Sequence, residues 1–186
     1  MTEPAKKKVA YEDLYNIPEN MTGEIIDGEL FVTPRPSRKH GYTSSALQSE
    51  VAPVYQFGRG GPGGWIFIIE PEVKFEEDIL VPDIAGWKRE SFPVEEPHNW
   101  ISAVPGWVAE VLSPGTARKD KVKKMPIYAR HGVPHCWLID PIEKTLDVFK
   151  FESKRWLLLA SFAENDKVRA EPFLEMEIDL GNLWLQ

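Results

Sequence analysis

Two carboxylates sit where a folded chain would bury them. Asp83 follows Pro82 in the run ILVPDIAGWK, and Glu110 lies in GWVAEVLS. Both runs are apolar and β-branched, and period-2 alternation leaves each acid among residues that need burial. An ionised carboxylate taken out of water must be paired, hydrogen-bonded or bound to a metal, or it takes up a proton. If the two runs are neighbouring strands, the acids converge on one divalent cation. Mg2+ suits such a pair, because it prefers oxygen ligands, needs only one or two carboxylates and keeps waters for chemistry. The alternative is two unrelated acids at strand ends, each capping a loop amide. Downstream, ARKDKVKKMPIYARH sets Lys121, Lys124 and Tyr128 at i, i+3 and i+7 on one helical face, and Val122, Met125 and Ala129 on another that reads as core. A lysine projecting toward the attacking water can orient it and offset charge building on a scissile phosphate. Two acids and a lysine form a phosphodiester-hydrolysis set. Pro126 removes one helical hydrogen bond and crowds the Val122 carbonyl, so a kink that re-aims Lys124 is expected.

Other chemistries find less support. GRGGPGG, residues 58–64, has the glycine density of a phosphate loop but leads into WIFIIEPEVKF, which reads as strand where a phosphate loop needs a helix N-terminus. Ser113 lacks a G-x-S-x-G elbow and reads as a helix-entry cap. Cys136, the single cysteine, lies in the apolar run HCWLID and reads as a buried small hydrophobe; one thiol cannot form an internal disulfide, and no Cys/His set has zinc-ligand spacing. Trp65, Trp87, Trp107 and Trp137 fall in strand-like runs and read as core.

The elements that must position these residues are legible in outline. The chain has 186 residues, 42% hydrophobic and 27% charged, a profile of one globular domain able to bury roughly 70% of its unfolded surface without a disulfide or structural metal. GEIIDGELFV reads as a hairpin about Asp27-Gly28. Residues 40–57 place Leu47, Val51, Val54 and Tyr55 on one helical face, with Pro53 ending or kinking the helix. WIFIIEPEVKF, ILVPDIAGWK and WVAEVLS read as three strands, followed by a helix that opens at Ser113 or Thr116 and stops at Gly132. HCWLIDP, TLDVFKF and WLLLASFA read as a meander, with Asp140 opening the turn at Pro141; the last fourteen residues are ambiguous. The net charge of −7 opposes indiscriminate binding to phosphate backbones, yet residues 117–131 carry six basic side chains and one acid, a basic island in an acidic chain. No stretch approaches the roughly 18 apolar residues of a membrane span, and a cytoplasmic location is expected.

The pattern from VPDIAGW through GWVAEVLSPGTARKDKVKKMPIYARHGVPHCWLIDP resembles a large bacterial family of restriction endonuclease-like proteins in the PD-(D/E)XK nuclease superfamily. GEIIDGELFVTPRPSRKH resembles that family's opening, so the likeness spans about residues 10–150. The resemblance implies an α/β (α+β) fold with a restriction-endonuclease-like core: a mixed β-sheet flanked by helices, in a single domain over residues 1–186 with 1–8 as a flexible tail. It implies Asp83 and Glu110 as catalytic metal ligands, and Glu24 as a further acid at the metal. The superfamily's E-x-K would put a lysine where this chain has Leu112. The K-x-x-x-Y spacing on the next helix matches Lys124 to Tyr128, which makes Lys124 the candidate catalytic lysine and Lys121 the second choice. Lys121, His40 and Tyr128 are the candidate substrate contacts, although a lone histidine at a helix start also suits a capping role. The family more often has an aromatic where Cys136 stands.

Residues and resemblance together lead to an Mg2+-dependent (or Mn2+-dependent) endonuclease that hydrolyses phosphodiester bonds in DNA as a homodimer, with no membrane partner. One rival is a catalytically inactive module of the same fold that binds nucleic acid or a protein, which Leu112 and the acidic net charge favour. Another is a metal-dependent hydrolase of small phosphorylated molecules.

Overall fold

The structure is a computed structural model and describes residues 9–185. The expected tail at 1–8 lies outside the described residues. After a short 3-10 helix at Tyr11–Asn16, β1 (Met21–Ile26) and β2 (Glu29–Pro34) form the expected hairpin. Asp27 and Gly28 both have positive φ, 53° and 77°, as a two-residue turn matched to strand twist requires. Helix α1 (Arg38–Val51) is capped by the Ser37 hydroxyl, which accepts from the His40 amide, and runs on through a π-helical turn at Ala52–Gln56. Pro53 sits in that turn, so the chain absorbs the missing amide by widening the helix. Leu47, Val51 and Tyr55 are buried on the predicted face.

Two apolar runs that read as single strands are each split. WIFIIEPEVKF yields β3 (Trp65–Ile69) and β4 (Val73–Phe75), and ILVPDIAGWK lies across β5 (Asp78–Leu80) and β6 (Ile84–Lys88). The breaks fall at Pro71 and Pro82, which cannot donate to a ladder, and at each break the chain passes from one sheet to another. The remaining strands are β7 (Trp107–Val111), β8 (His135–Asp140), β9 (Thr145–Glu152), β10 (Arg155–Ala163), β11 (Lys167–Ala170) and β12 (Phe173–Asp179). The C-terminal stretch that sequence leaves ambiguous is thus β12 followed by a 3-10 turn at Leu180–Leu183.

The strands form a six-stranded mixed sheet, β10-β9-β8-β7-β6-β3, a four-stranded sheet, β2-β1-β5-β4, and the β11-β12 hairpin. Within the six-stranded sheet β7 and β8 pair in parallel, and the crossover between them is the basic helix over residues 117–130. Trp107, Ala109 and Val111 of β7 face a core built with α1 and Phe173, while Val108 and Leu112 face a second core with Trp87, Tyr128 and Cys136. Glu110 shares the parity of the second set, so alternation turns it toward the basic helix. All four tryptophans named above are buried, and the glycine-rich segment 58–64 leads into β3, as a strand and not a helix.

The basic helix departs from α geometry. It is α-helical at Ala117–Lys119, π-helical at Asp120–Lys124 and α-helical again at Met125–Arg130, ending at Gly132 with φ of 77°. Pro126 has no amide for the Val122 carbonyl, and just ahead of it the Met125 amide bonds the Asp120 carbonyl five residues back, which widens the turn. It also shifts the phase of the faces. Val122, expected in the core with Met125 and Ala129, is 62% exposed, whereas Met125, Ile127 and Tyr128 are buried.

Candidate active site

The antiparallel register of β6 on β7 pairs Ile84 with Ala109 and Ala85 with Val108. Continued by one residue, it sets Asp83 opposite Glu110 on the face turned to the basic helix. Asp83 is fixed from both sides: the Val111 amide donates to its Oδ2 at 2.6 Å, and His40 Nε2 lies 3.2 Å from its Oδ1. Glu110 is 1% exposed, with the Tyr128 hydroxyl donating to Oε1 and the Lys124 ammonium 2.8 Å from Oε1 and 2.9 Å from Oε2. Glu24 of β1 completes the wall. Its Oε1 accepts from the Val81 amide at 2.9 Å and lies 3.1 Å from Lys124 Nζ, and its Oε2 is paired with Lys119.

These groups border one cleft of about 280 Å³, walled by the base of the β1–β2 hairpin, the start of α1 and the Ser113–Lys119 turn. Glu24, Asp83, Glu110, Lys124 and His40, all singled out from sequence, line it together. Two others do not. Lys121 is exposed outside the cleft, because the π-helical turn carries it off the face that holds Lys124. Tyr128 is fully buried beneath the cleft with its hydroxyl on Glu110, so it holds a carboxylate and is out of reach of substrate. Sequence reading also passed over Lys119, Asp120 and Glu70, which line the cleft. Asp120 had a signal: it is the one acid in the basic island, and such an acid is a candidate partner for a buried lysine. Ser113 meets Thr116 hydroxyl to hydroxyl at 3.0 Å in the turn that opens the helix; Thr116 is the N-cap residue and makes no side-chain cap bond.

The electrostatics follow from the count of charges. Four carboxylates, Glu24, Asp83, Glu110 and Asp120, share two lysines in a poorly solvated space. Burial raises the pKa of Glu110, and Asp120 and Asp83 add to that against the opposing pull of Lys124. Asp120 is raised in the same way, by burial first and then by Asp83, with Lys124 opposing. For Lys124, burial alone would lower the pKa, but Glu110, Glu24, Asp120 and Asp83 outweigh it and keep the ammonium protonated. Glu24, for which burial also acts upward, is drawn below its ordinary value by Lys124 and Lys119. Glu110 and Lys124 thus move in the same direction because negative charge is in excess, not because either partner is misplaced. His40 is pulled the same way: burial works against its charged form, and the Asp83 hydrogen bond with the Asp83, Glu70 and Asp120 charges raises it overall.

The acids of the cleft offer hard oxygen donors in excess of positive charge, which suits a hard divalent cation that Asp83 and Glu110 would hold. Among the described residues no group of three or more His, Cys, Asp or Glu side chains is placed to hold a metal ion. Mg2+ needs no more than one or two carboxylates from a protein, with water as its other ligands.

The mixed sheets and their helices make this an α+β protein, with the cleft at the edge where the two larger sheets and the basic helix meet. The chain belongs to the Uma2 family, described as "Putative restriction endonuclease", whose model matches residues 9–181. Among solved structures it is similar to a protein from Anabaena variabilis described as "a putative nuclease belonging to DUF820", with a TM-score of 0.76 and 25% sequence identity over 95% of this chain and 97% of that one. No curated protein matches the chain.

Proposed function

We propose that this protein is a metal-dependent endonuclease that hydrolyses phosphodiester bonds in DNA. The observation that carries this reading is the register that opposes Asp83 to Glu110 at the floor of a cleft already short of positive charge. Mg2+, or Mn2+ in its place, would be held by Asp83 and Glu110; when bound it supplies Lewis acidity toward the phosphate and a lowered pKa for the attacking water. The chain's own residues do the rest. The Val111 amide and His40 hold Asp83 in one orientation, and Tyr128 and Lys124 do the same for Glu110. His40 Nε2 lies close enough to Asp83 to pass or hold a proton at the cleft wall. The basic residues of the helix offer the phosphate backbone an approach that the acidic remainder of the surface does not. Enzymes that cut both strands of a duplex often pair two active sites, so a homodimer working in the cytoplasm on DNA is the form proposed.

The test is conversion of supercoiled plasmid and of single-stranded DNA in the presence of Mg2+ or Mn2+, with Asp83→Asn and Glu110→Gln beside the unmutated protein. Nicking that both substitutions abolish supports the reading. Binding of DNA without cleavage under every metal would replace it with the inactive nucleic-acid-binding module, a reading that Leu112 and the enclosed Lys124 ammonium favour.

A further inference from the structure

We propose that Lys119, and not Lys124, is the cation of this cleft that meets the substrate phosphate, and that Glu24 serves to hold it there. The proposal rests on the nuclease reading and deepens it. An ammonium has three protons to give. Lys124 Nζ already has four oxygens within 3.1 Å: the Val81 carbonyl at 2.9 Å, Glu110 Oε1 at 2.8 Å, Glu110 Oε2 at 2.9 Å and Glu24 Oε1 at 3.1 Å. Its side chain is 3% exposed. Every proton has a protein acceptor, and a phosphate oxygen or attacking water could reach this group only by stripping a buried carboxylate of its partner.

Lys119 differs on each count. It precedes the π-helical turn that carries Lys124 inward, its side chain is 14% exposed, and it lines the cleft. Glu24 Oε2 is the partner of its ammonium among the described residues, which leaves two protons for an incoming anion. Glu24 is the hinge of the arrangement. One oxygen takes the Val81 amide and faces Lys124, and the other takes Lys119, so both are spent on positioning. The chemistry recognised is a phosphodiester oxygen, brought to Lys119 beside the opposed carboxylates of Asp83 and Glu110.

The experiment measures anisotropy of a fluorescent single-stranded oligonucleotide over a salt series, with Ca2+ replacing Mg2+ to separate binding from cleavage, and single-turnover cleavage in Mg2+. Lys119→Ala and Lys119→Arg are compared with the unmutated protein and with Lys167→Ala, which removes an equal charge outside the cleft. For Lys119→Ala the expected results are a salt slope lower by about one, affinity weaker by about tenfold or more and cleavage slower by about a hundredfold, with a thermal midpoint close to that of the unmutated protein. Lys119→Arg restores the slope, and Lys167→Ala leaves cleavage intact. Unchanged slope and rate in Lys119→Ala overturn the assignment while the nuclease reading stands. If the unmutated protein binds the oligonucleotide but cuts nothing, the nuclease reading fails, and the slope alone upholds or overturns Lys119 as the phosphate contact. No binding by the unmutated protein overturns both.

Discussion

Lys124 and Glu110 form a pair that the fold can neither hydrate nor dispense with. Removing the ammonium in Lys124→Ala leaves Glu110, Glu24 and Asp120 buried without their shared cation, and the expected loss is about 3–5 kcal/mol by urea denaturation, the range for breaking a buried ion pair from one side. Glu110 carries a second prediction. Burial, reinforced by Asp120 and Asp83 against Lys124, pushes its pKa up to about 8 from an ordinary 4.5. A carboxyl raised in this way keeps its proton in the folded state after the unfolded chain has lost it. Its contribution to stability is full below the unfolded value and disappears as pH rises through the folded one. Melting in metal-free buffer should show stability falling between about pH 4.5 and about pH 8 and levelling off above that, and Glu110→Gln should flatten the decline. Both acids were legible from sequence because each interrupts an apolar alternation. The direction of the lysine was not, since spacing on a helix says which residues share a face and nothing about how many acceptors await an ammonium.

The π-helical turn at Asp120–Lys124 decides which side of the basic helix meets the core. Ordinary helical spacing joins Val122 to Met125 and Ala129; the wider turn rotates Val122 out to solvent and brings Asp120 and Lys124 in. Val122→Ser is therefore expected to change stability by no more than about 0.5 kcal/mol, whereas Met125→Ala should cost about 2–5 kcal/mol, and denaturant midpoints will separate the two. In β6 the close approach of Gly86 to aromatic rings sets another limit. A Cβ there would lie 2.7 Å from Phe67 Cε1 and 3.3 Å from Trp107 Cε3, so Gly86→Ala should lower stability by about 1–3 kcal/mol. The meander β8–β10, the first hairpin and α1 could all be read from turn residues and periodicity. The division of two apolar runs between sheets could not: hydrophobic content is the same on both sides of Pro71 and Pro82, and only the partner strand differs.

For the whole molecule, the excess of acid over base at the cleft predicts that a divalent cation stabilises the folded state. At a hundredfold excess over its Kd, Mg2+ should add about 2.7 kcal/mol to unfolding free energy, and Asp83→Asn should remove that gain. Scanning calorimetry with and without the ion would measure both. The fold class was legible at this scale because strand runs on either side of one basic helix leave few arrangements other than a mixed sheet with a crossover. That arrangement also sets an order of events during synthesis. Glu24 and Lys119 are 95 residues apart in sequence, and β7 gains its parallel neighbour β8 only after the helix between them has been made. A chain still emerging from the ribosome holds Asp83 and Glu110 before it has either lysine of the cleft, so the site cannot be completed until most of the protein is free to fold. The long-range closure that makes the cleft thereby ties its assembly to the crossover helix and β8, so that its acids are made well before the walls that enclose them.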